Sequence, residues 1–285
     1  MKKKLKVFYF IFFLFFSTVS FSLFPASYAE SFERIISLAP GMTEILFAAG
    51  MEDKIAGVTT FCDYPEEAKA KPKIGGMSNP SLEAVVSLKP DIVVMTTDGN
   101  PKMFQQRLGS MNIKTFVFEA LTLSELPDGI RDMGIALGEK EKFDNLALKI
   151  ERSTNRFKKT KKTGSTKVLF IIWPGPLIAA GPGTAIDDAI NLLGGINIAG
   201  DAKSRYPKYS LEEIFRRSPD IIFIGKGHRD MKKISSSLLK RLSHVPAVRN
   251  EKVFYVSDSL YRLGPRVVDG IEELAEYLEE KNTEH

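Results

Sequence analysis

The sequence predicts an α/β protein of two lobes with parallel sheets, linked by one long α-helix. Three observations lead to this prediction. Short β-branched runs alternate with helical stretches in both halves of the chain, which is typical of parallel sheets covered by helices. Between the halves, residues 139–162 run for 24 residues without Gly or Pro. A short pattern in the first half recurs in the second half, 129 residues later.

Residues 1–29 predict a cleavable export signal rather than part of the fold. Four lysines open the segment, an unbroken apolar run covers residues 7–16, and small residues at positions 27 and 29 precede a cut before Glu30. These are the three parts of a secretory signal. The alternative is an uncleaved membrane anchor, which the Ser and Thr residues at 17–22 weaken. The single cysteine, Cys62, lies far from the cut, so the sequence excludes a lipid anchor on a cysteine there and an intramolecular disulfide. We therefore expect the mature chain to be soluble and exported.

In the first half, β-branched runs predict strands at residues 34–38, 55–59, 91–95 and 114–118. Helices are predicted between and after them at 42–49, 82–88, 102–111 and 124–137. Gly50 directly follows the first helix and Pro101 directly precedes the third, and both are favoured at those positions.

The long helix follows. Apolar residues recur along it from Phe143 to Phe157, and its last residues are rich in lysine, which suits the negative end of a helix dipole. Thr163 and Gly164 then end it. These features predict four segments: a signal peptide at 1–29, an N-terminal lobe at 30–138, a linker helix at 139–163 and a C-terminal lobe at 164–285.

The βα pattern restarts in the second half, with strands predicted at 167–172, 221–224 and 253–256, and helices at 185–193, 211–217, 231–242 and 267–280. The segment SLE-x6-PDI occurs at residues 81–92 and again at 210–221. Chance and shared helix-start residues can produce such a match, but its length favours an internal duplication. A duplicated α/β pair leaves a cleft between lobes, where small molecules commonly bind.

The charge distribution argues against nucleic-acid binding. The chain carries 40 Lys and Arg against 35 Asp and Glu, but four of the lysines lie in the signal, which leaves 36 against 35. A nearly neutral body lacks the positive field that tracks a phosphate backbone.

Motifs for catalysis and metal binding are also missing. The three histidines are His228, His244 and His285, and the sequence has no HExxH, CxxC, GxSxG or Walker A motif. The sequence therefore predicts no catalytic residue, no metal ion and no cofactor, and we expect the protein not to be an enzyme.

The loops after the predicted strands hold the candidate binding residues. In open α/β sheets, ligands bind at this edge. Aromatic side chains with a few arginines suit a large flat ligand or an anionic one. An alternative interpretation of Tyr64 and Trp173 is that they pack beneath their loops and do not bind a ligand. The loop residues are Phe61, Tyr64, Met77, Trp173, Tyr206, Tyr209, Tyr261, Arg205, Arg262 and Arg266.

The chain resembles the cobalamin and ferric-siderophore periplasmic binding proteins of ABC importers. The matching stretches are RIISLAP at 34–40 with TE at 43–44, CDYP at 62–65, SLE at 81–83 with LKPD at 88–91, GGxN at 194–197, and SD at 257–258 with GPR at 264–266. These stretches occur in the same order and with the same spacing as in the family, and together they span nearly all of residues 31–280. The resemblance implies two Rossmann-like lobes tied by one rigid helix, and a receptor that delivers its ligand to a membrane permease.

The resemblance also assigns roles to single residues. Phe61 falls where the cobalamin receptor places an aromatic side chain against the corrin, Tyr206 falls on another aromatic position, and Asp258 on a polar one. Glu83 and Glu212, the two glutamates of the repeated segment, fall on the positions that pair with arginines of the permease. The chain departs from the pattern at Met77 and Thr96, where the cobalamin receptor has tryptophans, and near Ile172 and Ile178, where it has phenylalanines; Trp173 lies beside these and is expected to substitute.

We therefore expect a monomeric receptor that clamps a cobalamin-type corrinoid and works with an ABC permease and its ATPase. The ligand-binding residues expected are Phe61, Tyr64, Met77, Trp173, Tyr206, Asp258 and Arg262, and those for permease docking are Glu83 and Glu212. The alternative is a ferric-siderophore or haem receptor, in which Arg205, Arg262 and Arg266 meet the anionic groups of the ligand.

Overall fold

The structure, a computed structural model, describes residues 31–159, 165–227 and 230–279, so the predicted export signal lies outside the described residues. The first sheet has four parallel strands in the order β2-β1-β3-β4. These strands are β1 (Ile35–Ser37), β2 (Ile55–Val58), β3 (Ile92–Thr96) and β4 (Lys114–Phe118). All four strands predicted in the first half are therefore present.

Both faces of this sheet are buried, because successive residues of a strand point to opposite faces. Ile35 and Val94 belong to one apolar cluster, whereas Ile36 and Met95 belong to the cluster on the other face. The helices that cover the faces are α1 (Pro40–Ala48), α2 (Leu82–Ser87), α3 (Lys102–Ser110) and α4 (Leu126–Ala136), with short 3-10 helices at Glu52–Lys54 and Glu66–Ala70.

The helix α5 (Lys140–Lys159) forms the predicted connection between the lobes. Its side chains Phe143, Ala147 and Ile150 are buried. Gly134 of α4 permits a close approach, since a Cβ there would lie 2.4 Å from the Cβ of Phe143. The helix therefore packs along its length instead of standing free, which stabilises it beyond its intrinsic propensity.

The strands of the second sheet are β5 (Lys167–Pro174), β6 (Leu177–Ala179), β7 (Ile196–Asn197), β8 (Ile221–Gly225) and β9 (Val253–Val256). Four of them are parallel in the order β7-β5-β8-β9, which repeats the order β2-β1-β3-β4 of the first sheet, and β6 pairs antiparallel with the end of β5. The helices are α6 (Ala185–Leu192), α7 (Leu211–Arg217), α8 (Met231–Arg241), α9 (Pro246–Arg249) and α10 (Val267–Glu279). The sequence did not predict β6, β7 or α9. These elements have only two to four residues, which is too short for a periodic signal.

The two copies of the repeated segment adopt the same local structure. Lys89 and Ser218, at equivalent positions, both take left-handed backbone conformations, with φ of 48° and 51°. Asp91 accepts a backbone hydrogen bond of 2.8 Å from the residue before β1, and Asp220 accepts one of 2.9 Å from the first residue of β5. Because non-glycine residues rarely adopt this conformation, its recurrence at the same offset favours duplication over chance.

The predicted fold class is confirmed: two α/β lobes with parallel sheets are joined by one long helix. The residues at which each lobe begins and ends, 30–138 and 164–285, stay a prediction. In the part of the chain that the structure describes, no helix combines the length and the apolar composition needed to cross a bilayer.

Candidate functional site

A cavity of about 480 Å³ lies between the lobes, at the carboxyl ends of the strands of both sheets. Loops after seven strands, β1, β2, β3, β4, β7, β8 and β9, contribute to its wall. This is the edge at which open α/β sheets bind ligands, and the volume lies within the range of small-molecule sites. Most of the lining is apolar, and it includes Met42, Phe61, Met77, Phe118, Ile172, Ile178, Leu263 and the ring carbons of Tyr206 and Tyr261.

Five of the seven predicted ligand-binding residues lie in this wall: Phe61, Met77, Tyr206, Asp258 and Arg262. Thr96, Ile172 and Ile178 also lie there, so all four positions at which the sequence departs from the cobalamin receptor face the same cavity. The side chains at these four positions therefore form part of the cavity wall.

Tyr64 and Trp173 lie elsewhere. The guanidinium carbon of Arg266 is 4.2 Å from the centre of the Tyr64 ring, and both residues line a separate cavity of about 680 Å³. The indole N–H of Trp173 donates to the carbonyl oxygen of Gly175 at 2.7 Å, and its ring packs against the apolar cluster of the second lobe. Trp173 thus packs beneath its loop, and the neighbouring residues Ile172 and Ile178 form the cavity wall there.

One side of the cavity is closed by a buried ion-pair network between the lobes. Arg262 of the second lobe forms ion pairs with Asp63 of the first lobe and, at 2.6 Å, with Asp258 of its own lobe. Arg266 contacts both carboxylate oxygens of Glu44 in α1, at 2.6 and 3.0 Å. Only 1% of the Glu44 side chain and 7% of the Arg262 side chain are exposed, so these two members are shielded from solvent, whereas 37% of the Asp63 side chain is exposed.

The charges of this network set the ionisation of its members. Burial raises the pKa of the Glu44 carboxyl above its usual value, although the guanidinium groups of Arg266 and Arg262 oppose the shift. Burial also lowers the pKa of the Arg262 guanidinium, but the hydrogen bond to Asp63 and the nearby carboxylates of Asp258 and Glu44 raise it by more. The network holds its arginines charged and places a carboxylate against each of them.

A second contact joins the lobes across the cavity wall at Asp98. Both terminal nitrogens of Arg205 lie 3.4 Å from the carboxylate oxygens of Asp98, and the phenol of Tyr206 donates to the same carboxylate at 3.2 Å. Burial and the neighbouring charge of Asp98 raise the pKa of the Tyr206 phenol well above its usual value. The ring of Tyr206 therefore lines the cavity, and its hydroxyl group donates a hydrogen bond to Asp98.

The structure thus pairs every arginine that the sequence offers for an anionic ligand. Arg205, Arg262 and Arg266 of the second lobe each contact a carboxylate of the first lobe. Sequence reasoning identified none of these three carboxylates, Asp98, Asp63 and Glu44, as a partner of an arginine. Asp98 lies in a loop that the sequence places at the binding edge, so its position was available as a signal. Glu44 and Asp63 lie in two of the stretches that match the family, but the match did not indicate a buried or paired acid, because a charged side chain is ordinarily exposed.

Cys62 is buried and plays a packing role in the first lobe. Its Sγ lies 3.1 Å from the hydroxyl oxygens of both Thr43 and Thr59. Burial raises the pKa of the Cys62 thiol, which keeps it protonated and unreactive at neutral pH. Within the described ranges, no group of three or more His, Cys, Asp or Glu side chains is arranged to hold a metal ion.

Glu83 and Glu212 occupy matching places, each as the second residue of its helix. Ser81 caps α2 by accepting a hydrogen bond from the third helical N–H, and Ser210 caps α7 in the same way. Both glutamates are exposed, and no described residue forms a hydrogen bond or an ion pair with either carboxylate. Glu213, by contrast, pairs with Arg216 and Arg217. Each lobe therefore presents an exposed acid at the start of the helix in its repeated segment.

Comparison with known proteins gives one family and several relatives. The sequence profile of a family described as "Periplasmic binding protein" matches residues 35–260. The vitamin B12-binding protein of Pectobacterium carotovorum is 27% identical over 249 residues, which covers 86% of this chain and 88% of that protein. The periplasmic vitamin B12 binding protein of Vibrio cholerae superposes with a TM-score of 0.78 at 25% identity, covering 89% of this chain and 99% of that one. The periplasmic heme-binding protein of Roseiflexus sp. RS-1 superposes with a TM-score of 0.80 at 29% identity, covering 88% and 99%.

Proposed function

Because the chain belongs to the periplasmic binding protein family, we propose that it captures a cobalamin-type corrinoid between its lobes and delivers it to the membrane permease of an ABC importer. Receptors of this family bind solutes, and we propose that this chain likewise binds its ligand without converting it. The names of its relatives support the choice of ligand, since several are vitamin B12-binding proteins.

The observation that carries the proposal is the pairing of the arginines. A haem brings two propionate groups and a ferric catecholate siderophore carries a net negative charge, and such anions need free cationic partners in a site of low polarity. Arg205, Arg262 and Arg266 already contact carboxylates of the opposite lobe, so an anionic ligand would have to compete with those carboxylates. The rim of a corrin carries neutral amide groups, which impose no such cost.

The apolar wall supports the same ligand. Phe61 is 45% exposed at the cavity, and its ring offers a flat surface for the face of a corrin, as does the ring of Tyr206. Met77 is flexible and polarisable, so it adapts to an irregular ligand surface. Asp258 and Arg262 supply a paired polar group at one end of the site, which orients the ligand without adding net charge.

The alternative is a haem receptor, which the comparison with the Roseiflexus protein favours. One feature of the site also supports it, because a tyrosine oxygen is a known axial ligand of haem iron and both Tyr206 and Tyr261 line the cavity. Replacing Arg262 by Gln distinguishes the two ligands. We expect binding of a corrinoid to weaken only a few-fold, whereas binding of an anionic chelate should lose most of its affinity if the arginine holds the anion.

For the partner, we propose that Glu83 and Glu212 dock the receptor on the permease. A two-fold symmetric permease presents the same surface twice, and a receptor with duplicated lobes offers one acid to each copy. The exposure of both carboxylates and the lack of an ion-pair partner among the described residues support this role. We further propose that the receptor is a monomer and that the ATPase of the importer acts through the permease.

For the location, we propose export to the periplasm by the signal at residues 1–29, with cleavage before Glu30. The periplasmic location of the family supports this. Mass spectrometry of the exported protein tests it: the expected N-terminus is Glu30, and retention of Met1 would contradict cleavage.

The experiment that tests the proposed function is calorimetric titration of residues 30–285 with cyanocobalamin, haem and ferric catecholate and hydroxamate siderophores. We expect tight one-to-one binding of cyanocobalamin. If haem or a siderophore gives a heat of binding and cyanocobalamin gives none, the alternative function is supported and the proposed one is wrong.

A further inference from the structure

Tyr261 is one of the loop aromatic residues that the sequence offers, although it is not one of the seven ligand-binding residues expected, and it lies in the cavity wall on the loop between β9 and α10. Two glycines, Gly225 and Gly227, contact its side chain. A Cβ on Gly225 would lie 2.9 Å from a ring carbon of Tyr261, so only glycine leaves room for the ring there. The backbone N–H of Gly227 donates to the phenol oxygen at 3.1 Å. The ring and its oxygen are therefore held in one position before a ligand arrives.

The hydroxyl proton of Tyr261 has no acceptor within the part of the chain that the structure describes. The oxygen accepts from Gly227, but no described carbonyl or carboxylate oxygen takes the O–H in return. Tyr206 differs in this respect, because it donates to Asp98. Burial, helped by the nearby Asp258 carboxylate, raises the pKa of the Tyr261 phenol to about 12, so the proton stays on the oxygen at neutral pH.

The phenol also lies in the cavity, because Gly227, which contacts it, lines the same wall. The charged groups nearby already have partners, since Arg262 forms ion pairs with Asp63 of the first lobe and with Asp258 of the second. Tyr261 is thus a neutral, fixed donor in a largely apolar wall. Such a donor favours ligands that supply an acceptor and disfavours those that leave it unpaired.

We propose that Tyr261 is a specificity-determining residue of the site, which donates its phenolic hydrogen to a carbonyl oxygen on the rim of the bound corrinoid. This inference rests on the proposed function. A corrin carries acetamide and propionamide groups around its edge, and their carbonyl oxygens are strong neutral acceptors. An acceptor without charge suits this site, in which the arginines are already paired.

Calorimetric titration with cyanocobalamin tests the proposal on the wild-type protein, Tyr261→Phe and Tyr255→Phe. Tyr255→Phe is the matched control, because its phenol bonds to Ser235 at 2.7 Å and does not line the cavity. We expect Tyr261→Phe to weaken binding about five- to ten-fold, as for the loss of one neutral hydrogen bond, and Tyr255→Phe to leave it unchanged. Equal affinities of Tyr261→Phe and the wild type would overturn the proposal.

A second probe separates donation by the phenol from acceptance and from a purely structural effect. In heptamethyl cobyrinate the rim amides are replaced by methyl esters, so the carbonyl acceptors remain but the N–H donors are gone. If Tyr261 donates, Tyr261→Phe weakens binding of this ester as well. If the ester binds the wild type and the variant equally, the phenol does not act as a donor and the proposal is wrong. Failure of the wild type to bind any corrinoid would instead overturn the proposed function, and this inference with it.

Discussion

Replacement of Glu44 by Gln removes the charge that the structure places at the centre of the contact between the lobes. Glu44 is almost completely buried and binds Arg266 through both carboxylate oxygens, while Arg262 lies 3.8 Å away. Breaking a buried ion pair by removing one partner costs about 3–5 kcal/mol, because the remaining charge stays desolvated. Arg266 keeps a contact of 3.6 Å with Asp258 and is 17% exposed, which reduces the cost. We therefore expect a loss of about 3 kcal/mol.

For a chain of this length, about 1 kcal/mol corresponds to a shift of about 2–4 °C in Tm. The expected decrease for Glu44→Gln is thus about 6–12 °C, measured by circular dichroism without ligand at neutral pH. The matched control is Glu213→Gln, since Glu213 also contacts two arginines but lies at the surface. Exposed ion pairs contribute about 0–1 kcal/mol, so the control should change Tm by less than about 4 °C.

Salt distinguishes the two pairs further, because buried charges are screened much less than exposed ones. The deficit of Glu44→Gln should persist in concentrated salt, whereas any effect of Glu213→Gln should vanish. A Tm of Glu44→Gln within about 3 °C of the wild type would refute the reasoning, since it would mean that the buried carboxylate does not stabilise the contact between the lobes.

Further predictions concern the ligand, the permease and the thiol. Phe61→Ala should weaken cyanocobalamin binding about 5- to 30-fold through lost apolar contact. Phe215→Ala, equally exposed at 45% but outside the cavity, is its control; equal losses in both variants would contradict the site. Glu83→Ala combined with Glu212→Ala should abolish uptake in cells while calorimetry shows unchanged ligand affinity, and a loss of affinity would contradict a docking role. Cys62 should react slowly with a thiol reagent at pH 8 in the native protein and rapidly in urea. Since its pKa is raised in the folded state, the unfolded chain loses the thiol proton first, and the thiol's contribution to stability should fall as the pH rises above about 8.5. Rapid modification of the native thiol would contradict its burial.

The elements of the fold could be predicted because local patterns determine them. Strands such as β3 and β8 are short runs rich in β-branched residues, and Asp91 and Asp220 of the repeated segments mark the same turn in each lobe. The antiparallel strand β6 could not be predicted, because three residues carry no period and their pairing depends on the end of β5.

The candidate site was predicted only in part, for a different physical reason. Phe61 and Tyr206 were found because a loop after a strand must reach the binding edge. The partners of the arginines were not found, because Glu44 and Arg266 are 222 residues apart and meet only when the lobes pack together. This pairing changes the chemistry of the site, since it removes the free positive charges that an anionic ligand would need.

We expect the cavity to bind a corrinoid in preference to an anionic iron chelate. Mixing residues 30–285 with equal amounts of cyanocobalamin and haemin, followed by gel filtration and an absorption spectrum of the protein peak, compares the two ligands directly. We expect the protein peak to carry the corrinoid spectrum and haemin to elute separately. A protein peak that carries haem while cyanocobalamin elutes as the free compound would contradict this expectation.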